Sequence, residues 1–240
     1  MIEFTLFGTP VRILPWHWVG LLFISGAYMM DSTAELPFIL LFMVAALFSV
    51  LSHELAHAVV GRYMAGGAAV VTLEMFGGVT EYYGSRFTRK GRIFSVAAGP
   101  GINVATLVLC LAVCFAMVGG NMQAFALLIK GFLISPWNAI QFSSMGFVVT
   151  QDTIMPMYFL ASIMWTSFWW SLLNLLPIYP MDGGLLLEQF LKSRKNVFRT
   201  GLILSVVMVL VGITFKSFLM ILFMAQFAYL NYQSLKQERF

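Results

Sequence analysis

Residues 51–60, LSHELAHAVV, place two imidazoles and a carboxylate inside an apolar run. His53 and His57 are four positions apart, so on a helix they share one face and both reach a single ion. Glu54 is offset by one position, close enough to touch a water on that ion. H-E-x-x-H on a helix is a metallopeptidase pattern, in which the imidazoles bind zinc and the glutamate is the general base. Bound zinc lowers the pKa of its water from about 16 to about 7, and Glu54 can pass the proton to a leaving nitrogen. In a soluble sequence such a short match often arises by chance. Here the surrounding run is apolar, where an ionisable group costs on the order of a few kcal/mol and marks function. The chain has three histidines, and two of them are in this motif. The third, His17, stands between Trp16 and Trp18 and reads as an interfacial anchor.

A catalytic zinc usually takes three protein ligands and keeps one open position. The acids available for the third are few. Glu3, Asp31, Glu35, Asp152, Glu188 and Glu238 fall outside the expected spans, and Glu74 and Glu81 flank an expected hairpin. Asp182 remains, in NLLPIYPMDGG at 174–184. Pro177 and Pro180 break a helix there, and Gly183–Gly184 permit a tight turn that folds the carboxylate back. Taken alone, this stretch reads first as a plain turn with a helix-capping aspartate.

The elements that must position these groups read as membrane helices. The chain has 240 residues, of which 60% are hydrophobic and only 10% charged, against about 25% charged in soluble domains. Six spans are expected: from near Trp16 to before Asp31, about 36–64, from near Gly91 to before Gly119, about 154–176, about 199–215 and about 217–233, the last two parted by a turn at Lys216. The expected fold class is an all-α polytopic membrane protein of about six transmembrane helices with a short membrane-associated β-hairpin. The hairpin falls on VVTLEMFGGVTEYYGS, 70–85, rich in β-branched and aromatic residues around Gly77–Gly78. The stretch from about Gly119 to Gln151 includes MQAFALLIKGFLI, which reads as an amphipathic surface segment.

Charge orients the spans. With both termini cytoplasmic, Arg12, Arg86, Arg89, Lys90, Arg92, Lys192, Arg194, Lys195, Arg199, Lys236 and Arg239 all fall inside, and only Lys130 and Lys216 fall outside. The net charge of +4 therefore reflects topology and gives no sign of nucleic-acid binding. Cys110 and Cys114, one helical turn apart in an apolar run, read as buried thiols. The N-terminus lacks the basic-then-apolar layout of a cleaved signal peptide, so the first apolar run is expected to be a retained span. The expected organisation is one unit over 1–240 with a catalytic core over about 36–187, without a PDZ-like insertion or an appended regulatory domain. The small size suggests a prokaryotic plasma membrane.

HELAH at 53–57 together with NLLPIYPMDGG at 174–184 resembles the site-2 protease family of intramembrane zinc metalloproteases, in its compact form. The resemblance implies His53, His57 and Asp182 as zinc ligands and Glu54 as the catalytic acid/base. It implies that Asn174, eight residues before the aspartate, polarises or orients the scissile carbonyl. AAGPGIN at 97–103, ending in Asn103, is similar to the start of the family's central helix, and MFGGV at 75–79 to its membrane-inserted hairpin; Gly77, Gly78 and Asn103 are thereby candidates for substrate contact. Read from the residues alone, Asn174 is also a helix-end hydrogen bonder, Asn103 a tie between helices, and Gly77–Gly78 a simple turn. Met181 stands where leucine is commonest in the family. The implied substrate is a transmembrane segment of another protein, unwound locally and paired with a strand edge near Gly77. Three other readings compete: an inactive zinc-binding scaffold, against which the intact Glu54 argues; a transporter, against which the lack of repeated halves with broken helices argues; and another class of membrane metalloprotease with a glutamate third ligand on a later helix, against which the lack of an E-x-x-x-D segment argues. Oligomeric state and any membrane-protein regulator are not legible.

Overall fold

A computed structural model describes residues 1–75, 77–136, 151–191 and 193–238. Two antiparallel strands open the chain, β1 (Ile2–Leu6) and β2 (Thr9–Ile13), joined by a turn in which Phe7 and Gly8 take positive φ. A short helix α1 (Pro15–Ile24) follows, then two 3-10 turns and the long α2 (Leu36–Ala65). Strands β3 (Ala68–Glu74) and β4 (Gly77–Tyr83) lead into α3 (Arg89–Met117). Then come α4 (Met122–Ile134), α5 (Gln151–Asn174), α6 (Asp182–Phe190), α7 (Arg194–Thr214) and α8 (Phe218–Gln237). The connection over 137–150, part of the expected external segment, lies outside the described residues.

Helices α2, α3 and α5 pack on one another around a core that includes Phe42, Met43, Cys110, Cys114, Tyr158, Ala161 and Met164. Both cysteines are free and buried, as their place in an apolar run suggested. The α2–α5 contact carries a small polar cluster, with Ser49 Oγ 2.8 Å from Thr166 Oγ1 and 3.1 Å from Ser167 Oγ. Polar hydroxyls of this kind tie helices that have no hydrophobic driving force between them in lipid. Helices α7 and α8 form an antiparallel pair beside this trio, turning at Lys216 with φ +53. Segment 122–134, expected on the surface, is helix α4 with Leu128 and Phe132 buried against the core. Their i, i+4 spacing puts both on one face.

Among the described residues, four helices are long and apolar enough to cross a membrane: Thr33–Ala65 including its first 3-10 turn, Arg89–Met117, Arg194–Thr214 and Phe218–Gln237. Helix α5 has 24 residues but carries several Trp, Ser and Thr residues, which lowers its hydropathy. The expected first span is corrected. Helix α1 has ten residues, about 15 Å, whereas the 30 residues of α2 run about 45 Å. The reason lies in the sheet. Four strands pair in the order β1-β2-β3-β4, and β2 joins β3 in parallel through Val11↔Val71 and its neighbours. The expected hairpin is thus half of a larger sheet, whose other half is the N-terminal 13 residues. Strand β2 delivers the chain to the hairpin tip, where Leu14 N–H donates to the Leu73 carbonyl (3.0 Å). Helix α1 starts there, part-way along α2, and needs only the remaining length. His17 is buried, with Nδ1 donating to the Glu74 carbonyl at 2.7 Å. It pins α1 to the strand end and is not an interfacial anchor. Gly20 lets α1 press on the hairpin, since a Cβ there would lie 1.8 Å from the Met75 carbonyl oxygen.

Under the sheet, Val11, Ile13, Val71 and Leu73 pack on Val50, Leu55 and Ala58 of α2. The sheet therefore lies along the half of α2 that carries H-E-x-x-H.

Candidate active site

Three elements converge on the two imidazoles. Helix α2 presents His53 and His57 with ring centroids 4.7 Å apart. Asp182 Oδ2 lies 3.0 Å from His53 Nε2, and its Oδ1 lies 3.3 Å from His57 Nε2. One donor atom from each of the three residues lies within 4.8 Å of the others, and all three residues are buried. Asp182 is not in a loose turn. It is the first residue of α6, and the preceding Met181 is the N-cap. Gly183 and Gly184 are needed for approach more than for bending: a Cβ on Gly183 would lie 2.2 Å from the Leu175 carbonyl oxygen, and one on Gly184 2.6 Å from that of Ile178. The helix start is thereby pressed onto the Pro-containing loop, and the aspartate faces the histidines.

The third wall is α3. His57 Nδ1 donates to the Ser95 carbonyl at 2.7 Å. That bond places the proton on Nδ1 and leaves the Nε2 lone pair for a metal, the arrangement that metal-binding histidines share. Asn103 is buried against His53, its amide 3.4 Å from His53 Nδ1 and its Oδ1 without a partner among the described residues. Turning the amide over, an assignment that rests on hydrogen-bond logic, gives Oδ1 to a His53 Nδ1–H and leaves Nε2 free. Asn103, a candidate for substrate contact, sits where it supports a ligand. Gly99 faces both rings. A Cβ there would lie 2.2 Å from His57 Nε2 and 2.7 Å from His53 Nε2. The space beside the two Nε2 atoms exists because this residue has no side chain. Two imidazoles, a carboxylate and that space fit zinc, whose usual ligands are nitrogen and oxygen in a compact site.

Glu54, the residue after His53 on α2, lies against the sheet. Its Oε2 accepts from the Thr80 hydroxyl at 2.8 Å. Gly78 lets β4 close on it, since a Cβ there would lie 2.2 Å from Glu54 Cγ. Four residues on from Gly78, Tyr82 donates to the His57 carbonyl at 2.7 Å and lies 2.8 Å from Ser95 Oγ. Burial pushes the Tyr82 phenol up, which keeps it a donor. Gly78, Thr80 and Tyr82 alternate along β4, so one pleated face rides on the catalytic helix from Glu54 to His57. Strand β4 is the outer strand of the sheet, with its far edge unpaired among the described residues.

Gly77 (φ +152) sits at the hairpin tip against Trp170, whose ring also stands over His53 at 6.4 Å. Asn174 is the last residue of α5. Its Nδ2 donates to the Trp170 carbonyl one turn back at 3.0 Å. Thr80, Tyr82, Ser95 and Trp170 were not foreseen. Only Thr80 and Tyr82 left a trace, as alternate residues following Gly78.

The sequence pattern of peptidase family M50 matches residues 41–215, which hold every residue of this cluster. The chain belongs to peptidase family M50. This is the site-2 protease family of membrane zinc metalloproteases. Among curated relatives, the M50 chain is similar to proteins named as zinc metalloprotease Rip3 in two strains of Mycobacterium tuberculosis, H37Rv and Erdman. Each is 29% identical over 178 residues, or 71% of this chain and 38% of the relative. The chain thus spans well under half the length of the curated relatives it matches. Among solved structures it is similar to the site-2 protease from Methanocaldococcus jannaschii, with a TM-score of 0.59 and 20% identity over 98% of this chain and 94% of that one. That likeness establishes the fold.

Proposed function

We propose that this chain is an intramembrane zinc endopeptidase that cuts transmembrane segments of other membrane proteins. The observation that carries the reading is the meeting of Asp182 with the Nε2 atoms of His53 and His57. His53, His57 and Asp182 hold the ion, with Ser95 and Asn103 orienting the rings. When bound, zinc supplies Lewis acidity toward a water and a peptide carbonyl. Glu54 takes one proton from the attacking water as its oxygen bonds to the carbonyl carbon. It returns that proton to the amide nitrogen as the C–N bond breaks, leaving a new carboxyl and a new amine. Asn174, at the end of α5, turns from Trp170 to donate to the carbonyl oxygen, where charge develops.

A helical substrate hides its peptide bonds in its own hydrogen bonds, so it unwinds before it reacts. The free edge of β4, beginning at Gly77–Gly78, offers the unwound backbone the hydrogen bonds that lipid lacks. Helix breakers in the substrate favour cleavage by lowering the cost of unwinding. The topology that goes with this function has both termini in the cytoplasm of a cell, the basic residues inside, and the 240 residues acting as one unit with its core at 36–187.

The intact Glu54 separates this reading from an inactive zinc-binding scaffold. In Glu54→Gln the protein retains zinc while cleavage of a reconstituted transmembrane peptide falls by about 10²–10⁴-fold. Zinc content by elemental analysis and peptide cleavage by mass spectrometry read the two arms. Undiminished cleavage by Glu54→Gln overturns the proposal.

A further inference from the structure

Asn231 lies on α8, beyond the end of the M50 match at residue 215, and is fully buried at 0% exposure. Its amide nitrogen donates twice. One bond goes to the Phe227 carbonyl in its own helix at 2.8 Å. The other goes to the Tyr179 carbonyl at 2.6 Å, 52 positions away. Tyr179 stands three residues before Asp182. The loop between them is stiffened by Met181 N–H donating to the Ile178 carbonyl at 2.8 Å, and Leu185 N–H donates to the Met181 carbonyl at 3.0 Å. With Gly183 and Gly184 pressed onto the backbone of Leu175–Tyr179, loop and helix start form one block. Wherever Tyr179 is held, Asp182 follows.

Helix α7 completes the grip. The Tyr179 ring meets Phe198 edge to face at 5.1 Å. Gly201 makes room for the amide: a Cβ there would lie 2.3 Å from Asn231 Oδ1. That oxygen has no hydrogen-bond partner among the described residues. A buried amide left half satisfied is costly and calls for a reason. Joining α7 to α8 is not enough of a reason, because both of its donated bonds go elsewhere, one of them to the metal loop.

We propose that Asn231 is a positioning residue for Asp182. It fastens the 177–182 loop to the α7–α8 pair, so that the carboxylate stays within reach of both imidazoles, and that pair becomes part of the metal site. The inference rests on the reading of Asp182 as third ligand, and the test separates the two.

The 240-residue protein in detergent is loaded with zinc, and its zinc dissociation constant is measured by competition with a chromogenic chelator. Asn231→Leu raises that constant about tenfold, the usual scale for a group that orients a ligand. Gly201→Ala, which keeps the amide but displaces it, does the same. Gly212→Ala acts at the other close approach of α7 and α8, where a Cβ would lie 3.0 Å from Ile221 Cγ1. It loosens the pair without touching the loop and leaves zinc affinity unchanged. Asp182→Asn is the reference. If it binds zinc as tightly as wild type, the ligand reading fails. If Asp182→Asn weakens zinc while Asn231→Leu and Gly201→Ala do not, or if Gly212→Ala weakens it equally, the positioning role is overturned. Should Asn231→Leu fail to fold, Gly201→Ala decides.

Discussion

Glu54 owes its orientation to Thr80, a residue outside every motif that singled out the site. The hydroxyl donates to Oε2 at 2.8 Å from the strand that lies along α2. A hydrogen bond to a charged group is worth about 1.5–3 kcal/mol. Thr80→Val keeps the branched shape and removes the donor, so kcat falls by about tenfold or more while KM and zinc content hold. Thr80→Ser restores most of the loss. Kinetics on a reconstituted substrate separate kcat from KM, and a fall in zinc content in Thr80→Val would show that the hydroxyl serves the fold instead. The contrast with His53 and His57 shows what single residues disclose. Their four-residue spacing is a property of one helix, so it could be read directly. Asp182 was readable only by elimination and by likeness, since its meeting with the histidines depends on how α6 is seated. Ser95 and Asn231 act across gaps in the chain and carry no local signature, and Thr80 shows only as an alternate residue following Gly78.

At the scale of elements, the sheet is clamped to α2 by close packing as well as by hydrogen bonds. Gly61 lies under Tyr82, and a Cβ there would come within 2.3 Å of its ring. Gly61→Ala forces the ring outward, breaks its bond to the His57 carbonyl and lifts β4 from the catalytic helix. Overpacking of this kind costs about 1–3 kcal/mol. The expected outcome is faster hydrogen exchange in 77–83 than in wild type, with α3 unchanged; equal exchange in both proteins would contradict it. The hairpin at 70–85 was legible from its β-branched residues around two glycines. Strands β1 and β2 were not, because the first residues were weighed only as a leader or a span. The parallel pairing of β2 with β3 joins residues some sixty positions apart, which no local pattern reports. That missed strand is also why the first expected span was too long. The long apolar helices α2 and α3 were legible almost to their ends, since length and apolar run settle them, while α7 begins at Arg194 and α8 ends at Gln237, several residues beyond the expected bounds, because their polar ends extend past the apolar run.

For the molecule as a whole, the metal site is a junction. Its candidate ligands come from α2 and from the head of α6, the groups hydrogen-bonded to them from α3, and the proposed supports from the sheet and α8. An ion that binds only the folded form stabilises it by mass action, about 2.7 kcal/mol at a hundredfold excess over the dissociation constant. Chelation therefore lowers the thermal midpoint in detergent by about 5–10 °C. Readdition of zinc restores it, whereas His53→Ala shows neither response. A midpoint indifferent to chelator in the wild type would mean that the ion does not join these elements.

Gly99 offers a way to divide loading from shape. Its missing side chain is the hollow beside both imidazoles, so a single methyl acts as a built-in plug. Every donor stays in the chain, yet the seat is taken. A vacant form of the protein is thus one carbon away, reached without stripping agents and without altering the charge of the centre.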